Sequence, residues 1–212
     1  MKTEQKYIIS PELRSLNRFS PKLKVAILAS GEGSNFQVLI DLAKQELFDI
    51  DIKILICNKK NAGCIKRATK EKIPYFICEE SNCKNKDDFE KKIIDKVKEN
   101  DVELIVMAGW MKIVSEKFIT SINKTIINIH PSLLPSFKGK SPIKDALENG
   151  NLITGCSVHY VVPKVDSGEL IVQGAMAINR GESIDTLTSK IHYIEHIILP
   201  FAISQTGFLI RS

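Results

Sequence analysis

The chain has 212 residues, 43% of them apolar, with Lys+Arg 30 against Asp+Glu 25 and a formal net charge of +5. That length and composition suit one soluble globular domain with a continuous core and no need of disulfide staples. The positive excess is too diffuse for a nucleic-acid footprint but suits small anionic substrates, and no run of about 20 apolar residues predicts a membrane span.

Five cysteines, Cys57, Cys64, Cys78, Cys83 and Cys156, make an odd count. No pair has the Cys-x-x-Cys spacing of a zinc or redox site, so free thiols in a reducing cytoplasm are expected. The N-terminus has no apolar signal-peptide core. Residues 1–21 read as a polar extension outside the core, with Tyr7-Ile8-Ile9 as its apolar stretch, and residues 22–212 as the domain.

Residues 24–30 form a short apolar run that ends in a Gly-rich turn, the pattern of a buried strand. Phe36, Leu39, Ile40 and Ala43 then recur at helical spacing. A second strand over residues 50–57, a helix over 64–72 stopped by Pro74, and a third strand over 75–78 follow. Residues 87–100 are a lysine-rich amphipathic helix with Phe89, Ile93, Ile94 and Val97 on one face. Strands over 104–108 and 125–129 flank helical residues around 115–120. This alternation predicts an α/β domain, a twisted and mostly parallel sheet flanked by helices in the Rossmann-like manner. Such sheets place ligands beyond the carboxyl ends of their strands. After His130 come a loop with two prolines, a short helix over 143–149, an antiparallel strand over 154–162, another strand over 169–178, and a long helix over 183–202.

Four loops carry candidate chemistry. Ser30-Gly31-Glu32-Gly33-Ser34-Asn35 follows the first strand and opens a helix, where free backbone N–H groups favour an anion. It lacks the Gly-x-Gly-x-x-Gly spacing of dinucleotide binders and the lysine of a P-loop, so a plain structural turn serves equally well. In Asn128-Ile129-His130-Pro131-Ser132-Leu133-Leu134-Pro135, Asn128 and His130 are two apart on a strand and project to one side. An amide that polarises a carbonyl thus sits beside a group that carries a proton near neutral pH. A lone histidine there would be a loop cap; the pair favours function. Val165-Asp166-Ser167-Gly168 is either a simple turn or the carrier of a carboxylate that orients His130, and spacing does not decide between them. Gly109-Trp110-Met111-Lys112-Ile113-Val114 either packs a helix or lines a slot for a flat ring.

Together and in this order, these loops resemble the phosphoribosylglycinamide formyltransferase family over residues 22–207. The wording is close in Asn128-Ile-His-Pro-Ser-Leu-Leu-Pro135 and in Ser157-Val-His-Tyr-Val161 followed by Val165-Asp-Ser-Gly168. The resemblance implies a single formyltransferase domain that moves the formyl group of 10-formyltetrahydrofolate to the amine of glycinamide ribonucleotide in purine synthesis. It places Asn128, His130 and Asp166 at the catalytic positions. It assigns Gly33, Ser34, Asn35, His192, Tyr193, Ile194 and Glu195 to the ribonucleotide. It assigns Lys86, Met111, Lys112, Ile113 and Val114 to the folate, with Asn128 and the stretch Val162, Pro163, Lys164, Val165 and Asp166. No metal is expected, because His159 and His192 are too scattered in sequence to cluster with His130. Partners are small molecules only, with neither nucleic acid nor membrane.

Two departures stand out. Lys112 replaces the family's usual arginine, a point charge for a fork. Phe137-Lys-Gly-Lys-Ser-Pro142 leans towards two sister families, methionyl-tRNA formyltransferase and formyltetrahydrofolate hydrolase. The tRNA enzyme normally carries an additional C-terminal domain, and the hydrolase an N-terminal regulatory one that some twenty polar residues do not make. The alternatives are that hydrolase on the same catalytic frame, and a non-catalytic nucleotide-binding module, against which the Asn128, His130 and Asp166 set argues.

Overall fold

The computed structural model describes residues 7–212, and strand and helix alternate in it from residue 23 to residue 160. The elements are β1 (Tyr7–Ser10), β2 (Leu23–Ala29), α1 (Ser34–Lys44), β3 (Ile50–Cys57), α2 (Gly63–Lys70), β4 (Tyr75–Ile77), α3 (Lys86–Glu99) and β5 (Leu104–Ala108). They continue with α4 (Glu116–Ile122), β6 (Thr125–His130), α5 (Pro142–Glu148), β7 (Ile153–Tyr160), β8 (Leu170–Ala177) and α6 (Ile184–Arg211).

One sheet of eight strands runs in the order β1-β8-β7-β6-β5-β2-β3-β4. Pairings from β4 through β3, β2 and β5 to β6 are parallel, and those from β6 through β7 and β8 to β1 are antiparallel. β2 shows why both faces are covered. Val25, Ile27 and Ala29 join one apolar cluster with α1, α2 and α6, while Ala26 and Leu28 join another with α3 and α4. A strand apolar on both faces needs a helical layer on each side. β2 is also where strand order reverses, with β3 on one side and β5 on the other. Chains leaving β2 and β5 therefore diverge and leave a crevice at the carboxyl edge, the usual ligand position in such sheets.

The expected single α/β domain is the observed one, and the strand and helix sequence from β2 to α6 follows the periodicity. Two features depart from it. Residues 7–21 belong to the fold rather than lying outside the core. β1 adds an antiparallel edge to β8, Phe19 enters the core, and Asn17 bonds Ser204 of α6 (backbone N–H to Oγ, 2.7 Å). The expected extension's residues 1–6 lie outside the described residues. Second, α6 does not stop at 202 but continues through Pro200 to Arg211. An interior proline costs about 3 kcal/mol, yet Leu199, Phe201, Ala202 and Ile203 are buried on the sheet. Gly207 also packs so closely that a Cβ there would meet Leu23 Cδ2 at 2.5 Å. Arg211 then bonds the Glu103 carboxylate and the carbonyls of Pro21 and Lys22. By length and composition α6 could cross a bilayer, but 61% of its apolar window is buried inside the protein.

Candidate active site

The carboxyl ends of β2, β5 and β6 open into a cleft of about 400 Å³. Its floor is β6, which ends in Asn128 and His130. One wall is the loop from Gly31 to Asn35 with α6, and the other is the segment Met111 to Val114 with residues 161–166.

Asn128, His130 and Asp166 meet on this floor, although Asp166 lies 36 residues beyond His130 in sequence. His130 Nδ1 lies 3.6 Å from Asp166 Oδ2, and its Nε2 lies 2.9 Å from the Phe137 carbonyl. Both ring nitrogens thus face oxygen acceptors. Asp166 adopts a left-handed backbone, φ 46°, which turns its carboxylate back over β6. Asp tolerates that region better than most residues. The Gly139 N–H donates to Asp166 Oδ2 at 2.9 Å, so the loop after His130 is latched to the carboxylate. Burial alone would raise the Asp166 carboxyl. His159, the Gly139 N–H and His130 oppose that rise, and the net effect holds it below the usual carboxylate value.

His159 is a member of this cluster, contrary to the expectation that it is too scattered to join His130. The antiparallel register sets it opposite Asn128. Its Nδ1–H donates to the Tyr160 carbonyl at 2.8 Å. Its Nε2 lies 3.2 Å from the Asn128 amide nitrogen and 3.6 Å from Asp166 Oδ1. Sequence separation hid this: the signal is the strand pairing of β6 with β7, not spacing along the chain. Among the described residues no group of three or more His, Cys, Asp or Glu is arranged to hold a metal ion.

Gly33 caps α1 with φ 73°, and no side chain caps the helix, so the first-turn N–H groups of Ser34 and Asn35 have no side-chain acceptor. The Asn35 amide instead reaches across to α6 and donates to Glu195 Oε2 at 2.8 Å. Glu195 is 5% exposed. Burial pushes its carboxyl up to about 7, against a smaller lowering by the Asn35 amide. His192 lines the cleft one helical turn earlier, and burial lowers its imidazole. Tyr193 and Ile194 are not brought to the cleft. Successive helix residues rotate by about 100°, so they point elsewhere. Tyr193 packs edge-on against Tyr7 at 5.9 Å, and Ile194 lies fully buried against β8 at Gly174.

On the opposite wall, Met111 and Ile113 stay exposed beside Lys112 and Val114, and Val162, Pro163 and Val165 face them. Trp110 turns inward and stacks on Phe89 of α3, with ring centroids 6.3 Å apart. Lys112 pairs with Glu80. Lys86 and Lys164 lie off the cleft. Lys86 opens α3 and faces Glu90 at 3.8 Å, while Lys164 is exposed on the outside of the 162–166 turn. Lys140 and Pro142, unassigned from sequence, complete the rim.

The chain matches the formyl transferase family over residues 23–203. It is 38% identical over 182 residues to phosphoribosylglycinamide formyltransferase of Bacillus subtilis (strain 168), covering 86% of this chain and 93% of that protein. It is also 38% identical over 190 residues to the trifunctional purine biosynthetic protein adenosine-3 of Homo sapiens, a match to 88% of this chain but only 19% of that longer relative. The solved structure of glycinamide ribonucleotide transformylase 1 from Symbiobacterium toebii aligns with a TM-score of 0.85 at 28% identity, over 91% of this chain and 92% of that one. Phosphoribosylglycinamide formyltransferase from Bacillus halodurans aligns at 0.83 and 32% identity, over 86% and 94% of the two chains. The matched span holds every wall of the cleft, from Gly31 to Glu195, and the chain belongs to the formyl transferase family.

Proposed function

We propose that this chain transfers the formyl group of 10-formyltetrahydrofolate to the amine of glycinamide ribonucleotide, a step of purine synthesis in the cytoplasm. The observation that carries the reading is the convergence of Asn128, His130 and Asp166 at the junction of two subsites of different chemistry. One is an uncapped helix N-terminus beside a buried carboxylate, and the other is an exposed apolar ridge.

The ribonucleotide phosphate fits the first-turn N–H groups of Ser34 and Asn35, where the helix dipole favours negative charge. Glu195, held near neutrality, faces the amine end and takes up its proton. The flat ring of the folate fits between Met111 and Ile113 on one side and Val162 and Val165 on the other. The donor supplies a formyl carbon bonded to a ring-substituent nitrogen. As the amine attacks that carbon, the formyl oxygen gains charge, and the Asn128 amide and an imidazolium form of His130 donate to it. Asp166 faces the Nδ1 side of that ring at 3.6 Å, and the Nε2–H, which meets the Phe137 carbonyl at 2.9 Å in the resting cleft, is the donor that turns to the formyl oxygen. Such a pairing keeps the ring oriented and ready to pass a proton towards the departing nitrogen. His159 fixes the Asn128 amide from behind.

The test is direct: purified protein mixed with both substrates yields formylated ribonucleotide detectable by mass spectrometry. No such product under conditions where both substrates bind overturns the proposal.

A further inference from the structure

Ser30 follows the last residue of β2 at the point where strand order reverses, immediately before the Gly31 loop. Its backbone N–H donates to the Gly109 carbonyl at 3.0 Å, and its Oγ accepts from the Met111 N–H at 2.9 Å. At the far end of the same segment, the Glu90 carboxylate accepts from the Ser115 N–H at 2.8 Å and from the Ser115 hydroxyl. Both anchors are buried, Ser30 at 2% and Glu90 at 4% exposure, whereas Met111 and Ile113 between them are 67% and 58% exposed. Exposed side chains do not pin their own backbone. Between the two ends the segment is held only by the Lys112–Glu80 surface pair and by Val114 at the edge of the core, so its shape rests chiefly on the buried hydrogen bonds at its ends. Glu90 is remote from the cleft on α3, and its neighbour Phe89 holds Trp110 by stacking.

We propose that Ser30 and Glu90 are positioning residues that hold residues 111–114 as a strap from both ends, preset for the flat ring of the formyl donor. This rests on the folate placement in the proposed function. A strap held in its binding shape loses less conformational freedom when the donor arrives, so the anchors act on donor affinity. They do not touch the reacting atoms, and they leave the Ser34 and Asn35 N–H groups in place. Loosening either end therefore weakens one substrate and spares the other. Ser30 also joins the two subsites in space, since the strap's anchor immediately precedes the Gly31 loop.

The test compares Ser30→Ala, Ser30→Thr and Glu90→Gln with the parent. Ser30→Ala removes one hydrogen bond and Glu90→Gln replaces charge-assisted bonds to Ser115 with weaker neutral ones, and each raises the KM for 10-formyltetrahydrofolate roughly 3–10-fold. Saturated kcat and the KM for the ribonucleotide stay within about twofold. Ser30→Thr, which keeps the acceptor, stays near the parent. Trp110 is the chain's single tryptophan, so titration with 5-formyltetrahydrofolate while following its emission gives the Kd independently of turnover. That Kd rises by the same factor as KM. If Ser30→Ala does not fold, Glu90→Gln reads the same strap from the other end. Donor KM unchanged in the variants, or both substrates weakened in parallel, overturns the strap while normal folate binding by the parent leaves the proposed function standing. A parent that binds no folate overturns both.

Discussion

His159 stands directly across the β6–β7 register from Asn128, and its Nε2 lies 3.2 Å from the Asn128 amide nitrogen. An amide that serves a transient charge must be aimed before the charge forms, because reorienting it during the reaction raises the barrier. Asn128→Ala is predicted to lower kcat by about 10²–10³-fold with little change in either KM, the signature of a donor engaged only in transit. His159→Ala is predicted to lower kcat by roughly 2–10-fold through loss of one aiming hydrogen bond. Steady-state kinetics in both substrates check this, and a defect confined to KM sinks the assignment of Asn128.

Glu195 gives a pH signature. Its carboxyl titrates at about 7 in the fold, against about 4.3 for an unfolded glutamate. The folded state then holds a proton that the unfolded state has released, so stability falls as pH rises between those two values. Glu195→Gln is predicted to flatten that slope in melting temperatures taken across the window. It is also predicted to abolish the rise of kcat/KM for the ribonucleotide as pH passes about 7. A parent profile that is level through neutrality contradicts the role given to Glu195.

Asp166 has the opposite sign. Its carboxyl is held below the ordinary value, so its ionised form contributes stability above the unfolded value of about 3.9. That contribution is lost as pH falls through the lower folded value. Asp166→Asn is predicted to melt below the parent at neutral pH, with the gap closing in acid, and to lose turnover at every pH. Asn also tolerates the left-handed backbone, so the fold survives. A melting gap that does not change with pH contradicts the pairing with His130 and His159.

Gly33 is required by the backbone itself. Its φ is 73°, and a Cβ there would meet Cys64 Cβ at 2.7 Å and Cys64 Cα at 3.0 Å. Gly33→Ala is predicted to cost roughly 1–2 kcal/mol from the left-handed backbone alone. For a domain of this size that lowers Tm by at least about 2–4 °C. Calorimetry checks it, and an unchanged Tm contradicts the requirement for a left-handed backbone at Gly33.

These residues also mark what the sequence made legible. The parallel half of the sheet was plain, because β2, β3 and β5 are apolar runs ended by turn residues, and local periodicity dictates them. Asn128 and His130 were legible as a pair because strand alternation alone puts them on one side. His159 was not, since its membership depends on which strand pairs with β6. Tyr193 and Ile194 were assigned with His192 and Glu195 as one stretch, but helical rotation sends only the latter two to the cleft. β1 was missed because a short apolar stretch in a polar segment does not show that it pairs with β8, which lies more than 150 residues further along the chain. Residues 203–211 of α6 were missed because Ser204, Gln205, Thr206 and Gly207 interrupt the apolar pattern until the packing beneath them is known.

The most direct test of the central claim is the initial rate of tetrahydrofolate release from 10-formyltetrahydrofolate, measured with and without glycinamide ribonucleotide, in the parent and in His130→Ala. The account predicts release by the parent only when the ribonucleotide is present, and none above background in His130→Ala while its circular dichroism stays parental. Equal release without the ribonucleotide would make water the acceptor and the chain a hydrolase. No release with it, or undiminished release by His130→Ala, would contradict the chemistry assigned to the cleft.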